Sequence, residues 1–224
     1  MQFPFQPMPF SRGPGPFNHP AWLFELKYDG FRALACIKRG QCELISRNGH
    51  PFSSFAELGK SIAVALPHLQ DAVLDGEIVC LDRKGRPQFN DLLFKRSQPC
   101  FFAFDVLYAD GKDFRGDALI ERKVELRRFL HRASTDSQLR YEDHVEGSGI
   151  ALFQRLCRLD LEGIVAKYKF SPYGGEDSLG TWYKIRNRDY SQMIGREKLF
   201  ERDRHKEPVP GWHTCELACA DAES

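Results

Sequence analysis

The chain has 224 residues, enough for one large domain or two small ones, and its 42% hydrophobic and 28% charged content is ordinary for a soluble globular protein with a full core. The formal net charge of +1 excludes a global positive field, so any nucleic-acid binding must come from a local patch. Seven cysteines, an odd number without paired short spacings, suit a reducing compartment. No apolar run approaches a membrane span, and the N-terminus lacks an export pattern, so a cytoplasmic protein with no membrane partner is expected.

Residues 1–20 are rich in Pro, Phe and Gly and cannot form a regular helix, which predicts an extended arm laid against the body. Residues 21–47 read as a β-meander, with Arg39-Gly40-Gln41 and Arg47-Asn48-Gly49 as turns. Within it, Lys27 stands between the apolar strands Trp22-Leu23-Phe24 and Ala33-Leu34-Ala35-Cys36-Ile37, and Asp29-Gly30 supplies turn chemistry. Ser54-Phe55-Ala56-Glu57 has capping-box form, and Phe55, Leu58, Ile62 and Leu66 recur at helical spacing before Pro67. A strand at 72–81, a short helix at 89–95 and a strongly apolar strand at 101–107 follow. A helix at 119–131 presents Leu119, Val124, Leu126, Phe129 and Leu130 inward. The stretch 139–143 reads as a strand, and 149–159 as a helix with Ile150, Leu152, Phe153 and Leu156 inward. Strands at 163–169 and 181–186 flank a Gly-rich loop. Strands and helices mix without strict βαβ alternation, so the fold class is α+β with largely antiparallel sheets and flanking helices. The domain plan is an arm at 1–20, a body at 21–187 and a basic, partly helical tail at 188–224. The tail carries Arg196, Lys198, Arg202, Arg204 and Lys206, and its His213, Cys215 and Cys219 match no standard zinc spacing.

Several clusters carry chemistry. Lys27 at a strand end is a candidate nucleophile, because a lysine amine held neutral by burial or neighbouring cations can attack. Asp75-Gly76-Glu77 puts two carboxylates around a glycine, with Glu77 able to face a pocket. Phe104 beside Asp105 in an apolar strand could stack on a base. Glu162 and Lys167 stand five positions apart, so they point to opposite strand faces unless a bend intervenes. Lys184 and Arg186 alternate with apolar residues and share a face. One lysine nucleophile, carboxylates for a hard divalent metal and several phosphate-holding cations suit phosphoryl or nucleotidyl transfer. No phosphate loop of the G-x-x-x-x-G-K-S/T type is present, which argues against a P-loop NTPase.

In order along the chain, Lys27-Tyr28-Asp29-Gly30-Phe31-Arg32, Ser46-Arg47-Asn48-Gly49, Asp75-Gly76-Glu77, Phe104-Asp105-Val106-Leu107, Glu162-Gly163-Ile164-Val165-Ala166-Lys167 and Trp182-Tyr183-Lys184 resemble the motifs of ATP-dependent polynucleotide ligases. With Asp143-His144-Val145-Glu146-Gly147, the likeness is to the ligase module of bacterial ligase D-type end-joining enzymes, over about residues 21–187. The resemblance implies a covalent nucleotidyltransferase (ATP-grasp-like) adenylation domain using ATP with Mg²⁺ or Mn²⁺ on nicked or broken DNA. It implies that Lys27 attacks the α-phosphate and becomes lysyl-AMP, and that Lys167 and Lys184 hold that phosphate. Glu25 would receive the adenine amino group and Phe104 would stack on adenine. Arg32 and Arg47 would lie at the nucleotide and the DNA 5′-phosphate. Glu77 would contact the ribose or assist the metal, which Glu162 would bind.

Two departures qualify the match. The final motif reads Lys184-Ile185-Arg186 where the family has Lys-x-Lys, so Arg186 keeps the charge with different geometry. The tail after Asn187 is shorter than the OB-fold that family ligases carry, so no OB-fold is expected. A minimal adenylation module, or a separate protein supplying that function, would then complete the work, with the basic tail adding DNA grip. An RNA ligase with the same chemistry, a non-catalytic nucleic-acid or nucleotide-binding module and a GTP-using capping enzyme are the alternatives.

Overall fold

The computed structural model describes residues 5–131, 133, 137–174 and 180–193. Eleven strands among them form two sheets. The six-stranded sheet has the order β4-β3-β5-β6-β7, with β8 (Leu139–Tyr141) running parallel beside β6. Its members are β3 (Phe31–Lys38), β4 (Gln41–Ser46), β5 (Asp71–Cys80), β6 (Pro99–Ala109) and β7 (Lys112–Asp113). The five-stranded sheet has the order β1-β11-β10-β2-β9. It contains β1 (Ser11–Arg12), β2 (His19–Leu26), β9 (His144–Gly147), β10 (Gly163–Tyr168) and β11 (Trp182–Arg186). All pairings are antiparallel except β1–β11 and β6–β8.

The layering follows from which faces are apolar. Helix α1 (Ala56–Ala65) and helix α3 (Leu119–Leu130) cover the outer face of the six-stranded sheet, where Leu58, Ile62 and Leu126 meet Ala33, Leu74 and Phe101. Each such buried aliphatic side chain stabilises by about 1.5–3 kcal/mol relative to exposure. Helix α4 (Gly149–Arg158) covers the other sheet through Leu156 against Phe24, Ile164 and Ile185. Between the sheets, Leu23 and Trp182 pack on Leu34, Val73 and Phe104. A short helix, α2 (Phe89–Leu93), follows β5. Among the described residues no helix is long and apolar enough to cross a membrane.

Five expectations are corrected. The stretch 21–47 is not one meander, because β2 and β3 lie in different sheets. Residues 27–30 therefore cross from one sheet to the other, which puts Lys27 at the seam. Gly30 makes that crossing possible, since a Cβ there would stand 2.2 Å from the Ile78 carbonyl oxygen. Gly30→Ala should force the backbone apart and cost roughly 1–3 kcal/mol, read as a lower urea midpoint at unchanged slope. The capping box at 54–57 does not form. A 3₁₀ turn, Ser53–Phe55, leads into α1, and Glu57 pairs with Lys60 at 2.8 Å instead. In α3, Val124 points outward at 61% exposure while Arg122 and Lys123 are buried, because both find carboxylate partners inside. Ile150 of α4 is 37% exposed, at the rim rather than inside. The strand expected at 139–143 is present only as the shorter β8. The tail cations from Arg196 onward, the His/Cys group and the expected lack of an OB-fold fall outside the described residues.

Candidate active site

The seam between the sheets opens into a cleft of about 1120 Å³. From the five-stranded sheet it is lined by Glu25, Val165, Lys167, Lys184 and Arg186, and from the crossing by Lys27; Arg32, Arg47, Glu77 and Phe104 face them. The cleft thus gathers every residue that the sequence singles out for nucleotide or metal, Glu162 included. Strand alternation accounts for most of this. Glu25 in β2 pairs in register with Val165 in β10, and Lys167 lies two residues further along the same face. Glu162 joins them because of a bend. Gly163 has φ +136, and a Cβ there would stand 2.2 Å from the Ile185 carbonyl oxygen. The bend turns Glu162 inward although five positions separate it from Lys167.

The cleft has two chemically distinct ends. At one, Lys27 Nζ donates to Glu162 Oε2 at 2.7 Å, and the Lys27 amide donates to the Gly163 carbonyl at 2.9 Å. Arg186 approaches the second Glu162 oxygen at 3.6 Å. Burial raises the Glu162 carboxyl above the usual range, against the pull of Lys27. Burial likewise pushes Glu77 up to about 8, with Lys27 and Arg32 pulling down and the Glu162 and Asp75 carboxylates adding to the rise. Lys184 is held below the usual lysine range by burial and then by Arg186, Lys27 and Arg47. Crowded carboxylates beside crowded cations describe a place where a polyanion and a divalent cation would each relieve strain of charge.

At the other end, Glu25 is 2% exposed and forms ion pairs with Lys123 at 2.7 Å and Lys167 at 2.5 Å. Burial would raise the Glu25 carboxyl, but these two ammonium groups outweigh it and hold it low. Lys167 Nζ also lies 4.0 Å from the Phe104 ring and 4.1 Å from Trp182. Lys167 therefore belongs to the Phe104 end, with Glu25 as its ion-pair partner. Lys123, which sequence reasoning missed, is fixed further by the carbonyls of Glu142 at 2.8 Å and Phe104 at 3.3 Å. A signal existed: Leu119, Arg122, Lys123 and Leu126 fall at i, i+3, i+4 and i+7, so two charges stand on the apolar stripe.

Glu142 was also missed, and Asp75, singled out in the sequence as one of two carboxylates around a glycine, was given no role of its own. Glu142 is 4% exposed, lines the cleft and accepts the Leu26 amide at 3.2 Å. Burial first, then Glu25, raises its carboxyl well above the ordinary value of 4.5. A raised folded pKa gives stability that is complete below the unfolded value and is lost as pH climbs through the folded one. Glu142→Gln removes that loss. Its melting temperature should gain on wild type as pH goes from about 5 to about 9, and a gap that shrinks instead would contradict this assignment. Asp75 is fully buried and grips Arg32 with both oxygens, at 3.0 and 2.6 Å, while Tyr173 donates to it at 2.6 Å. Arg32 is thus held rigidly at the cleft wall. Asp29, in the seam crossing, accepts from the Tyr190 hydroxyl at 2.9 Å.

Solved structures with a similar fold identify the class. The mycobacterial DNA ligase D complexed with ATP and MES superimposes with a TM-score of 0.71 at 29% identity, covering 81% of this chain and 60% of that one. A Chlorella virus DNA ligase-adenylate shares the fold, with a TM-score of 0.59 at 18% identity over 82% of this chain and 69% of that one. The fold is a nucleotidyltransferase adenylation domain, α+β as the sequence implied.

A family model described as ATP dependent DNA ligase domain matches residues 16–186. The chain belongs to the ATP-dependent DNA ligase family. The multifunctional non-homologous end joining protein LigD of Pseudomonas aeruginosa is 33% identical over 179 residues, which is 74% of this chain and 20% of the relative. The SPbeta prophage-derived DNA ligase-like protein LigB of Bacillus subtilis is 31% identical over 187 residues, 80% of this chain and 66% of the relative. The chain therefore spans about a fifth of that LigD and about two thirds of that LigB.

Proposed function

We propose that this chain is the adenylation module of a DNA ligase that uses ATP. The observation that carries the reading is Lys27, held 2.7 Å from Glu162 at the seam of the cleft, with Glu77, Lys184, Arg186 and Arg47 around it. In the first step the Lys27 nitrogen forms a bond to the α-phosphorus of ATP as the bond to the bridging oxygen of pyrophosphate breaks, giving lysyl-AMP. The ion pair with Glu162 positions Lys27 and must open, with loss of the ammonium proton, before attack. Lys184, Arg186 and Arg47 stabilise the charge that develops on the phosphate oxygens. Lys167 and Glu25 serve the base end, with Phe104 as the stacking plate. Lys167 then reaches the α-phosphate less directly than Lys184. Arg32 stands at the ribose and 5′-phosphate side.

The donor set at Glu77 and Glu162 fits Mg²⁺ or Mn²⁺. Such ions take one or two carboxylates and complete their shell with substrate phosphates and water. Burial raises both carboxyls, so a bound cation would relieve the cost of carrying their charge there. When bound, the ion supplies charge neutralisation at the triphosphate.

AMP then passes to a DNA 5′-phosphate, and a 3′-hydroxyl displaces it to seal the strand. The free thiols Cys36, Cys42, Cys80, Cys100 and Cys157 fit a cytoplasmic setting in which ATP and DNA meet. Broken DNA is the proposed substrate, and a separate protein with OB-fold function would raise the rate on it. The test is sealing of a nicked DNA duplex with ATP and magnesium, beside a nicked RNA duplex and a pre-adenylated DNA nick. Sealing of DNA over RNA supports the reading. Preference for RNA, or no turnover of even the pre-adenylated nick, contradicts it.

A further inference from the structure

The arm contributes to the cleft from outside the span that the family model matches. That match begins at residue 16, yet Pro7, Met8, Pro9 and Phe10 line the cleft together with Lys27 and Phe104. The segment is fastened at both ends. Met8 is 1% exposed; its amide donates to the Tyr173 hydroxyl at 3.0 Å, and its carbonyl accepts from Arg32 Nη1 at 2.6 Å. Tyr173 and Arg32 both end on Asp75, so Met8 closes a ring of four residues. Downstream, Ser11 and Arg12 pair in parallel with Tyr183 and Lys184, and the Gly13 amide donates to the Lys184 carbonyl at 3.2 Å. Between these anchors the Phe10 ring lies half-buried, 4.6 Å from the Arg32 guanidinium carbon and 5.7 Å from Trp182. Pro7 and Pro9 fix φ on either side of Met8, so little ordering entropy remains to be lost when a ligand binds.

We propose that residues 7–10 form a strap that completes the nucleotide site, with Phe10 as an aromatic wall against the bound purine nucleotide and the Met8 carbonyl positioning Arg32. The inference rests on the nucleotide-binding reading of the cleft. A strap that only sealed the core would need Met8, which is buried, but would not need an aromatic ring turned to the cleft over a cation. The attachment of β1 beside Lys184 ties the strap to the strand that carries a phosphate-binding lysine.

The test is equilibrium binding of ATP to wild type, Phe10→Ala and Phe10→Tyr by calorimetry, with a thermal melt of each. Phe10→Ala should raise the Kd for ATP about tenfold, the order that an aromatic contact to a nucleotide contributes. Phe10→Tyr should restore it to within about twofold, because the ring is kept. Amide hydrogen exchange at residues 7–12 should slow when ATP is added. Equal Kd values for wild type and Phe10→Ala would overturn the proposal, whether or not the melt shifts. Wild type that binds ATP without labelling Lys27 would sink the proposed catalysis while leaving the strap to be judged on the Kd ratio. Wild type that binds no ATP would overturn both.

Discussion

Lys27→Ala should abolish covalent labelling by α-phosphate-labelled ATP, lowering it by three or more orders of magnitude, the scale on which loss of a covalent nucleophile registers. Among the described residues, neither of the other two lysines that line the cleft can take its place. Lys167 is buried against Glu25, Phe104 and Trp182, and Lys184 stands on a different strand, so neither is presented as Lys27 is, on the crossing between the sheets. The substitution removes one end of the ion pair with Glu162 and leaves the backbone bond to Gly163, so the fold should persist. Lys27→Ala should also still seal a pre-adenylated nick, because that step needs the phosphate-binding cations and not the nucleophile. The check is a denaturing gel of labelled protein beside a gel of sealed strands. A labelled band of wild-type intensity in Lys27→Ala would place the nucleophile elsewhere.

Asp105→Ala should cost about 3–5 kcal/mol, because it leaves a buried guanidinium without its counter-ion. Asp105 and Arg122 are both fully buried, joined by two hydrogen bonds of 2.8 Å each. The same guanidinium donates to the Asp117 carbonyl at 2.7 Å and to the Ser171 carbonyl at 3.0 Å. A loss of that size is a large part of the 5–15 kcal/mol that folded domains usually hold, and corresponds to a fall in Tm on the order of 10 °C. The consequence reaches the site. Asp105 follows Phe104 in β6, and Arg122 precedes Lys123 in α3, so this pair aligns the aromatic plate with the lysine that grips Glu25. Replacing both partners, Asp105→Leu with Arg122→Met, should lose less than Asp105→Ala alone, since no charge is then stranded. Thermal and urea melts of the three variants decide it. A single-variant loss under about 1 kcal/mol would mean that water reaches Arg122 once the carboxylate is gone.

Local patterns carried much of this in the sequence. The strand at 101–107, the helix before Pro67 and the turn at Arg39-Gly40 follow from apolar runs, period and turn residues, and each has a counterpart in β6, α1 and the β3–β4 turn. Long-range partnership was less legible. Nothing local distinguishes a hairpin at Asp29-Gly30 from a crossing between two sheets, because both need a glycine in a tight place. The difference lies in Ile78, almost fifty residues away, whose carbonyl occupies the space a side chain would fill. The buried charges of α3 were missed for a related reason. Val124 looks like core by hydropathy alone, and only Asp105 and Glu25 on other strands make burial of Arg122 and Lys123 affordable. The residues that resemble ligase motifs do meet in one cleft, but its division into a Glu25–Lys167 end and a Lys27–Glu162 end depends on the bend at Gly163. The arm was expected against the body; that it reaches the cleft depends on a carbonyl, which no side-chain pattern reports.

The most direct measurement is the position of AMP on the protein after incubation with ATP and magnesium, found by peptide mass spectrometry of wild type. AMP on the Lys27 side-chain nitrogen, in the peptide that spans the crossing between the sheets, is the expected result. AMP on Lys167 or Lys184, or no adduct from a protein that binds ATP, would contradict the assignment of this cleft as a lysine-nucleotidylating site.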